Sequence, residues 1–163
     1  MDGKLRNMTS VYLYDNDGLL CLYRVGSRVV NHKYVGSAGG HFEPEELSDA
    51  RACVLRELEE ELGLKAEDVP DMKLRYITCR YKSGELRNNY YFFAPFSRDR
   101  VLHSNEGTLH WLSWKEAEDI PMPASARHMM DHYLSVGRFD SKFYGGMAQA
   151  GGTRFVALEE FED

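Results

Sequence analysis

Three glutamates, Glu57, Glu60 and Glu61, stand at i, i+3 and i+4 within Arg56-Glu57-Leu58-Glu59-Glu60-Glu61-Leu62-Gly63-Leu64. At about 100° per residue they share one face of a helix, and Val54, Leu55, Leu58 and Leu62 share the opposite, apolar face. Like charges at that spacing repel. They also lie toward the helix C-terminus, the unfavourable end of the macrodipole for anions. A hard divalent cation explains such a face, because Mg²⁺ takes carboxylate oxygens and shares its remaining positions with substrate phosphates. A solvated acidic surface helix is the alternative that the helix alone leaves open. Ala50 and Cys53 fall on the carboxylate arc in the earlier turns, and their small size leaves room for something to lie against the helix.

The charge of the whole chain points to the same place. The 163 residues carry 20 Lys and Arg against 26 Asp and Glu, a formal net charge of −6. Residues 43–61 hold eight acids and two arginines, so this one segment carries the entire excess. An acidic chain is a poor partner for a nucleic-acid polymer, whose backbone needs a basic surface. A small phosphorylated molecule remains accessible, since a bound metal ion reverses the local field. With 43% apolar and 28% charged residues the composition is that of a globular domain with its own core. The N-terminal stretch lacks the apolar core of a signal peptide, and no run approaches the ~18 apolar residues of a membrane span. Cys21, Cys53 and Cys79 are odd in number and form no CxxC pair, which favours reduced thiols and a cytoplasmic setting.

The elements that must position the glutamates are legible from period and punctuation. Residues 8–14 and 19–24 read as strands around the turn Asp15-Asn16-Asp17-Gly18. Residues 24–34 read as a polar loop in which Val29-Val30 is a possible short strand. Val35-Gly36-Ser37-Ala38-Gly39-Gly40 is a small-residue stretch that lets backbone approach a ligand closely. Ser48 or Asp49 serves as N-cap of a helix over 49–62 that ends at Gly63. Residues 72–81 and 86–96 form a hairpin around Ser83-Gly84, and 109–114 another strand. Residues 115–119 make a helical turn before Pro121 and Pro123, and 124–135 a second helix. Residues 142–149 and 153–158 form a terminal hairpin. The expected class is α+β, a mixed sheet with helices packed on its faces, and the whole of 1–163 is expected to be a single domain.

The residues upstream of the acidic helix narrow the chemistry. Gly40, Glu46, Arg56-Glu57-Leu58, Glu60-Glu61 and Gly63-Leu64 resemble the Nudix box, GX5EX7REUXEEXGU with U aliphatic. Gly40 to Glu46 keeps the family spacing, but nine residues rather than seven separate Glu46 from Arg56, so Glu45 and Glu46 are both candidates for the loop glutamate. The resemblance implies an α/β/α sandwich with a mixed β-sheet, and a hydrolase that cuts a phosphoanhydride in a nucleoside diphosphate linked to another moiety, using Mg²⁺ or Mn²⁺ and water. It implies metal ligation by Glu57, Glu60, Glu61 and the carbonyl of Gly39, with Glu57 also handling water and Arg56 orienting a catalytic glutamate. Families of this type often add a loop glutamate, for which Glu106 is placed. Arg24, Arg28 and His41 are candidate phosphate contacts. Tyr34, Tyr90, Phe92, Trp111 and Met122 are candidates to stack on a base, Tyr90 foremost. The family is often dimeric, so a homodimer is a further expectation.

The C-terminal third loosely resembles the MutT-like subgroup acting on oxidised purine nucleoside triphosphates of the 8-oxo-dGTP type. That subgroup's mammalian members read the base with paired aspartates and an asparagine. Here Met122-Pro123-Ala124-Ser125 and Gly36 stand near those places. An ADP-ribose or nucleotide-sugar pyrophosphatase, or a nucleotide-sensing domain without catalysis, are the alternatives. Sensing domains of this kind usually lose box carboxylates, and all are present here. An isomerase of the family type would need an active-site cysteine ahead of the box, and Cys21 reads as core.

Overall fold

The computed structural model describes residues 3–26 and 30–162; the candidate phosphate contact Arg28 and the possible strand residue Val29 lie outside them. Strand β1 (Lys4–Tyr14) sets the architecture. Its side chains alternate between two cores, as the two-residue period of a strand requires. Tyr12 enters one core with Tyr76, Tyr91, Phe93, Met129, Met130 and Tyr133. Val11 and Leu13 enter the other with Val54, Leu58, Leu62 and Phe92. The first core is covered by helix α2 (Ala124–Ser135) and the second by helix α1 (Ala50–Leu62). This is the expected α/β/α arrangement on a mixed sheet.

The remaining strands are β2 (Gly18–Arg24), β3 (Lys33–Val35), β4 (Lys73–Lys82), β5 (Glu85–Pro95), β6 (Thr108–Ser113), β7 (Phe143–Gln149) and β8 (Gly152–Leu158). The order is β3-β2-β1-β5-β4-β7-β8, with β6 also paired to β2. β1 and β5 run parallel in register from Lys4↔Glu85 to Tyr14↔Pro95. That long pairing extends β1 four residues before the expected start at Met8. No strand forms at Val30; the short strand is Lys33–Val35, paired antiparallel with the end of β2.

The feature that creates a cleft is the parting of β1 and β2. They pair only at Leu13↔Leu20 and Tyr14↔Leu19. Beyond that point residues 37–41 take the place of β2 along β1. Val11 N donates to Ala38 O at 2.9 Å and Thr9 N to Gly40 O at 2.8 Å. Ser37 pins the fork: its buried hydroxyl donates to Leu20 O at 2.6 Å and accepts from Leu13 N at 2.9 Å. The small residues expected to approach a ligand are thus first needed to approach β1. A Cβ on Gly36 or Gly39 would run into the carbonyls of Val11 and Thr9 respectively, and Gly39 has φ +151°.

Helix α1 begins and ends where local chemistry dictates. Asp49 caps it by accepting from Ala52 N at 3.0 Å, and Gly63 closes it in the left-handed region at φ +67° with its N–H on Glu59 O at 3.0 Å. Replacing Ser37 by Ala leaves a buried N–H and a buried carbonyl without their partner. The expected loss is about 1–3 kcal/mol of unfolding free energy, read by urea denaturation. An unchanged midpoint would show that the fork holds without its pin.

Candidate active site

One arginine ties the helix glutamates Glu57 and Glu60 to the loop that precedes the helix. Arg56 projects from α1 and its guanidinium is shared among two carboxylate neighbours on the helix, one in the loop, and a main-chain carbonyl. Nε and Nη2 donate to the two oxygens of Glu46 at 2.7 and 3.0 Å. Nη1 donates to Glu57 Oε1 at 2.8 Å and to Glu60 Oε2 at 3.1 Å. Nη2 also reaches His41 O at 3.0 Å. The two-fold grip on Glu46 is the fork geometry for which arginine is suited. Glu46 is buried in the 3-10 turn Pro44–Glu46, and Glu45 is exposed, so of the two loop candidates Glu46 is the one brought to the helix. Arg56 holds the Glu46 carboxyl down at about 2, well below the usual carboxylate range.

Glu57 and Glu61 lie one turn apart and behave differently. Glu57 is buried against Gly40, where any Cβ would overlap its carboxylate. Burial raises its pKa above the ordinary glutamate value despite the Arg56 contact. Glu61 accepts the N–H of Gly39 at 3.2 Å, and burial pushes it up to about 7. Glu60 is the exposed member, turned toward Arg56. Glu106 is paired with Arg24 at 2.5 Å. Among the described residues no three His, Cys, Asp or Glu side chains form a ready-made metal cage. The donors nevertheless suit a hard cation. Glu57 and Glu61 are desolvated carboxylates on one helix face beside the backbone of Gly39 and Gly40. Mg²⁺ is commonly held by one or two carboxylates together with substrate phosphates.

These groups open onto a cleft of about 600 Å³. Its lining includes Gly39, Gly40, His41, Arg56, Glu57, Glu61 and Glu106, together with Arg80, Arg87, Asn89, Tyr91 and Ser125. A family model described as the NUDIX domain matches residues 4–133. The chain belongs to the Nudix family. By that membership it is a Nudix hydrolase, and its fold is shared with MutT proteins. The MutT protein of Bacillus halodurans superposes with a TM-score of 0.65 at 21% identity, covering 92% of this chain and 97% of that one. MutT from Methanosarcina mazei Go1 gives 0.68 at 15% identity, covering 86% and 99%. The NUDIX domain of Shewanella oneidensis NrtR, solved with ADP ribose, gives 0.60 at 13% identity, covering 86% and 90%. At these identities the likeness is one of fold. A comparison with curated protein sequences found no match.

In this Nudix chain the sequence-derived candidates fall into three groups. Gly39, His41, Arg56, Glu57, Glu61, Arg24 and Glu106 all line the cleft, and Glu60 reaches it through Arg56. His41 Nε2 accepts from Arg6 Nε at 2.7 Å, and burial together with that cation lowers its pKa. Tyr90 is misassigned: strand alternation turns it to the α1 face, where it packs on Phe42 with ring centroids 5.2 Å apart. Phe92 and Trp111 belong to that same core, and Tyr34 and Met122 to the α2 core. The aromatic rings that do line the cleft are Tyr12, Phe42 and Tyr91. The space left by Cys53 is filled by the chain itself, its thiol lying 3.6 Å from His41 O and 3.3 Å from Thr9 Oγ1. Burial there pushes the thiol up to about 11. Residues missed from the sequence are Arg6, Arg80, Arg87 and Tyr12, none of which carries a local motif.

The depressed Glu46 carboxyl sets a pH signature. A group held below its unfolded value stabilises fully above that value, about 4.3, and the contribution is lost as pH falls toward 2. In urea titrations the stability gap between the wild type and Glu46→Gln is expected to be constant from pH 6 to 8 and to close between about pH 5 and 2. A gap that persists at pH 2 would mean the pair with Arg56 contributes little.

Proposed function

We propose that the chain hydrolyses a phosphoanhydride bond in a nucleoside diphosphate linked to a further moiety, with Mg²⁺ as its metal and Mn²⁺ able to replace it. The observation that carries this reading is the desolvated pair Glu57 and Glu61, set on one helix face against Gly39 and Gly40 at the acidic end of the cleft. Glu57, Glu60, Glu61 and the carbonyl of Gly39 would hold the metal, with Glu106 as a further oxygen donor once it leaves Arg24. When bound, the metal neutralises diphosphate charge and lowers the pKa of a coordinated water.

The protein groups supply the rest. Glu57 accepts the proton of the attacking water. Arg56 fixes the Glu57 carboxylate and is itself fixed by Glu46. Arg24, once released from Glu106, contacts phosphate, as do His41 and Arg28. All three box carboxylates are retained, which favours catalysis over nucleotide sensing.

Within this class the C-terminal resemblance favours an oxidised purine nucleoside triphosphate of the 8-oxo-dGTP type. One observation favours the other reading, an ADP-ribose or nucleotide-sugar pyrophosphatase. The start of α2 presents Pro123, Ser125 and Ala126 to the cleft, with no carboxylate to read a base there. The reading also takes residues 1–163 as a single domain acting in the cytoplasm, as a homodimer if the light-scattering mass doubles that of the chain.

Phosphate release from (d)NTPs, 8-oxo-dGTP, ADP-ribose, dinucleoside polyphosphates and nucleotide sugars, with Mg²⁺ and with Mn²⁺, tests the activity and ranks the substrates. Glu57→Gln and Glu60→Gln are each expected to lower turnover about 100- to 10,000-fold. Full turnover by Glu60→Gln would reject the assigned metal face.

A further inference from the structure

The cleft also carries a row of like charges that the reaction just described does not use. Arg6 on β1 is the register partner of Arg87 on β5, and Arg87 is the register partner of Arg80 on β4. Register partners project to the same face, so three guanidinium groups lie side by side across three neighbouring strands. All three are half-buried and line the cleft. Like charges directly opposite one another in a sheet are destabilising. Among the described residues only Arg87 has an acid partner, Glu85 at 2.9 Å. Arg6 is bonded to His41, and Arg80 Nη1 to the hydroxyl of Ser125 at 3.0 Å.

Two further observations converge on the same region. Among the described residues Arg80 Nε is buried with no partner, and Arg80 lines the cleft. An unmade hydrogen bond in a buried group is costly and needs an explanation. The first turn of α2, which carries Ser125, begins at Pro123 with no side-chain cap. Its free N–H groups and positive dipole end therefore add to the field of Arg80.

We propose that this floor is a second anion subsite, and that the substrate's remote moiety carries a phosphomonoester gripped by Arg80, Arg87 and the first turn of α2, with Arg6 at its rim. The assignment rests on the reading above, in which the diphosphate sits at the acidic end. Arg6 begins the row beside the metal face, donating to His41 next to Gly40, and Arg87 and Arg80 carry it onto the next two strands away from that face. A single phosphate chain held at the acidic end does not use this field, whereas a phosphate on a sugar remote from the bond cut does. Guanidinium groups in a row suit the several oxygens of a phosphate.

ADP-ribose and ADP-ribose 2′-phosphate differ only by such a group. Calorimetric titration of the wild-type chain, with and without Mg²⁺, is expected to show the phosphorylated member binding about tenfold tighter or more. The gap should narrow as salt rises, and inorganic phosphate should compete at it. Arg80→Gln and, separately, Arg87→Gln should bring the two affinities toward equality while melting temperatures report that each variant is folded. Equal affinities in the wild type would overturn the subsite whatever the variants do. A preference that survives both substitutions would also overturn it. So would tighter binding of 8-oxo-dGTP than of the 2′-phosphate that Arg80→Gln abolishes, since the floor would then read a purine edge. Cleavage of both members at equal affinity would leave the hydrolase reading standing and remove only the subsite. Cleavage of neither would count against the hydrolase reading, and the titration would still decide the subsite.

Discussion

One guanidinium group holds the reactive end of this molecule together. Arg56 spends its donors on Glu46, Glu57, Glu60 and the His41 carbonyl, so a loop turn, a helix face and the Gly-rich segment are all referred to one cation. A single positive charge among three carboxylates leaves the cluster anionic. Glu61 lies outside the reach of Arg56, and among the described residues it accepts a backbone N–H, that of Gly39. The cluster therefore keeps an excess of negative charge, which is what the proposed cation would neutralise. Gly40 makes this possible sterically, because the helix carboxylate occupies the volume a side chain would need.

The constraint propagates outward through backbone rather than side chains. Gly40 and Ala38 are hydrogen-bonded to β1, and β1 is locked along its whole length to β5. The fork at Leu13 and Leu20 is what frees β1 to accept the Gly-rich segment. Ser37 closes that fork with a hydroxyl that serves as donor and acceptor at once.

Much of this was readable from the chain, and the remainder was hidden for definable reasons. Helix α1 has local punctuation at both ends, Asp49 and Gly63, and its box glutamates repeat at helical spacing. The extra residues between Glu46 and Arg56 obscured which glutamate faces inward. The answer lies in the 3-10 turn, which buries Glu46 and leaves Glu45 in solvent, with Asp49 N then bonded to Glu46 O at 2.8 Å. Tyr90 and Tyr91 show a different limit. In a strand, a shift of one residue exchanges faces, and two adjacent tyrosines give the sequence no means of choosing. The pair Arg24–Glu106 joins residues 82 positions apart, and the arginine row exists only in the register of three strands. Neither leaves any mark on local composition.

The alternation of β1 between two cores has one more implication. The carboxylate face rides on α1, anchored through Val54 and Leu58, while Arg80 is tied to α2, anchored through Met129 and Met130 on the opposite side of the sheet. The groups proposed for bond cleavage and those proposed for ligand choice are thus mounted on separate cores on either side of one sheet. Descendants of such a scaffold can remodel what they recognise by altering α2 and the strands beneath it, with the hydrolytic half passing unchanged from one specificity to the next.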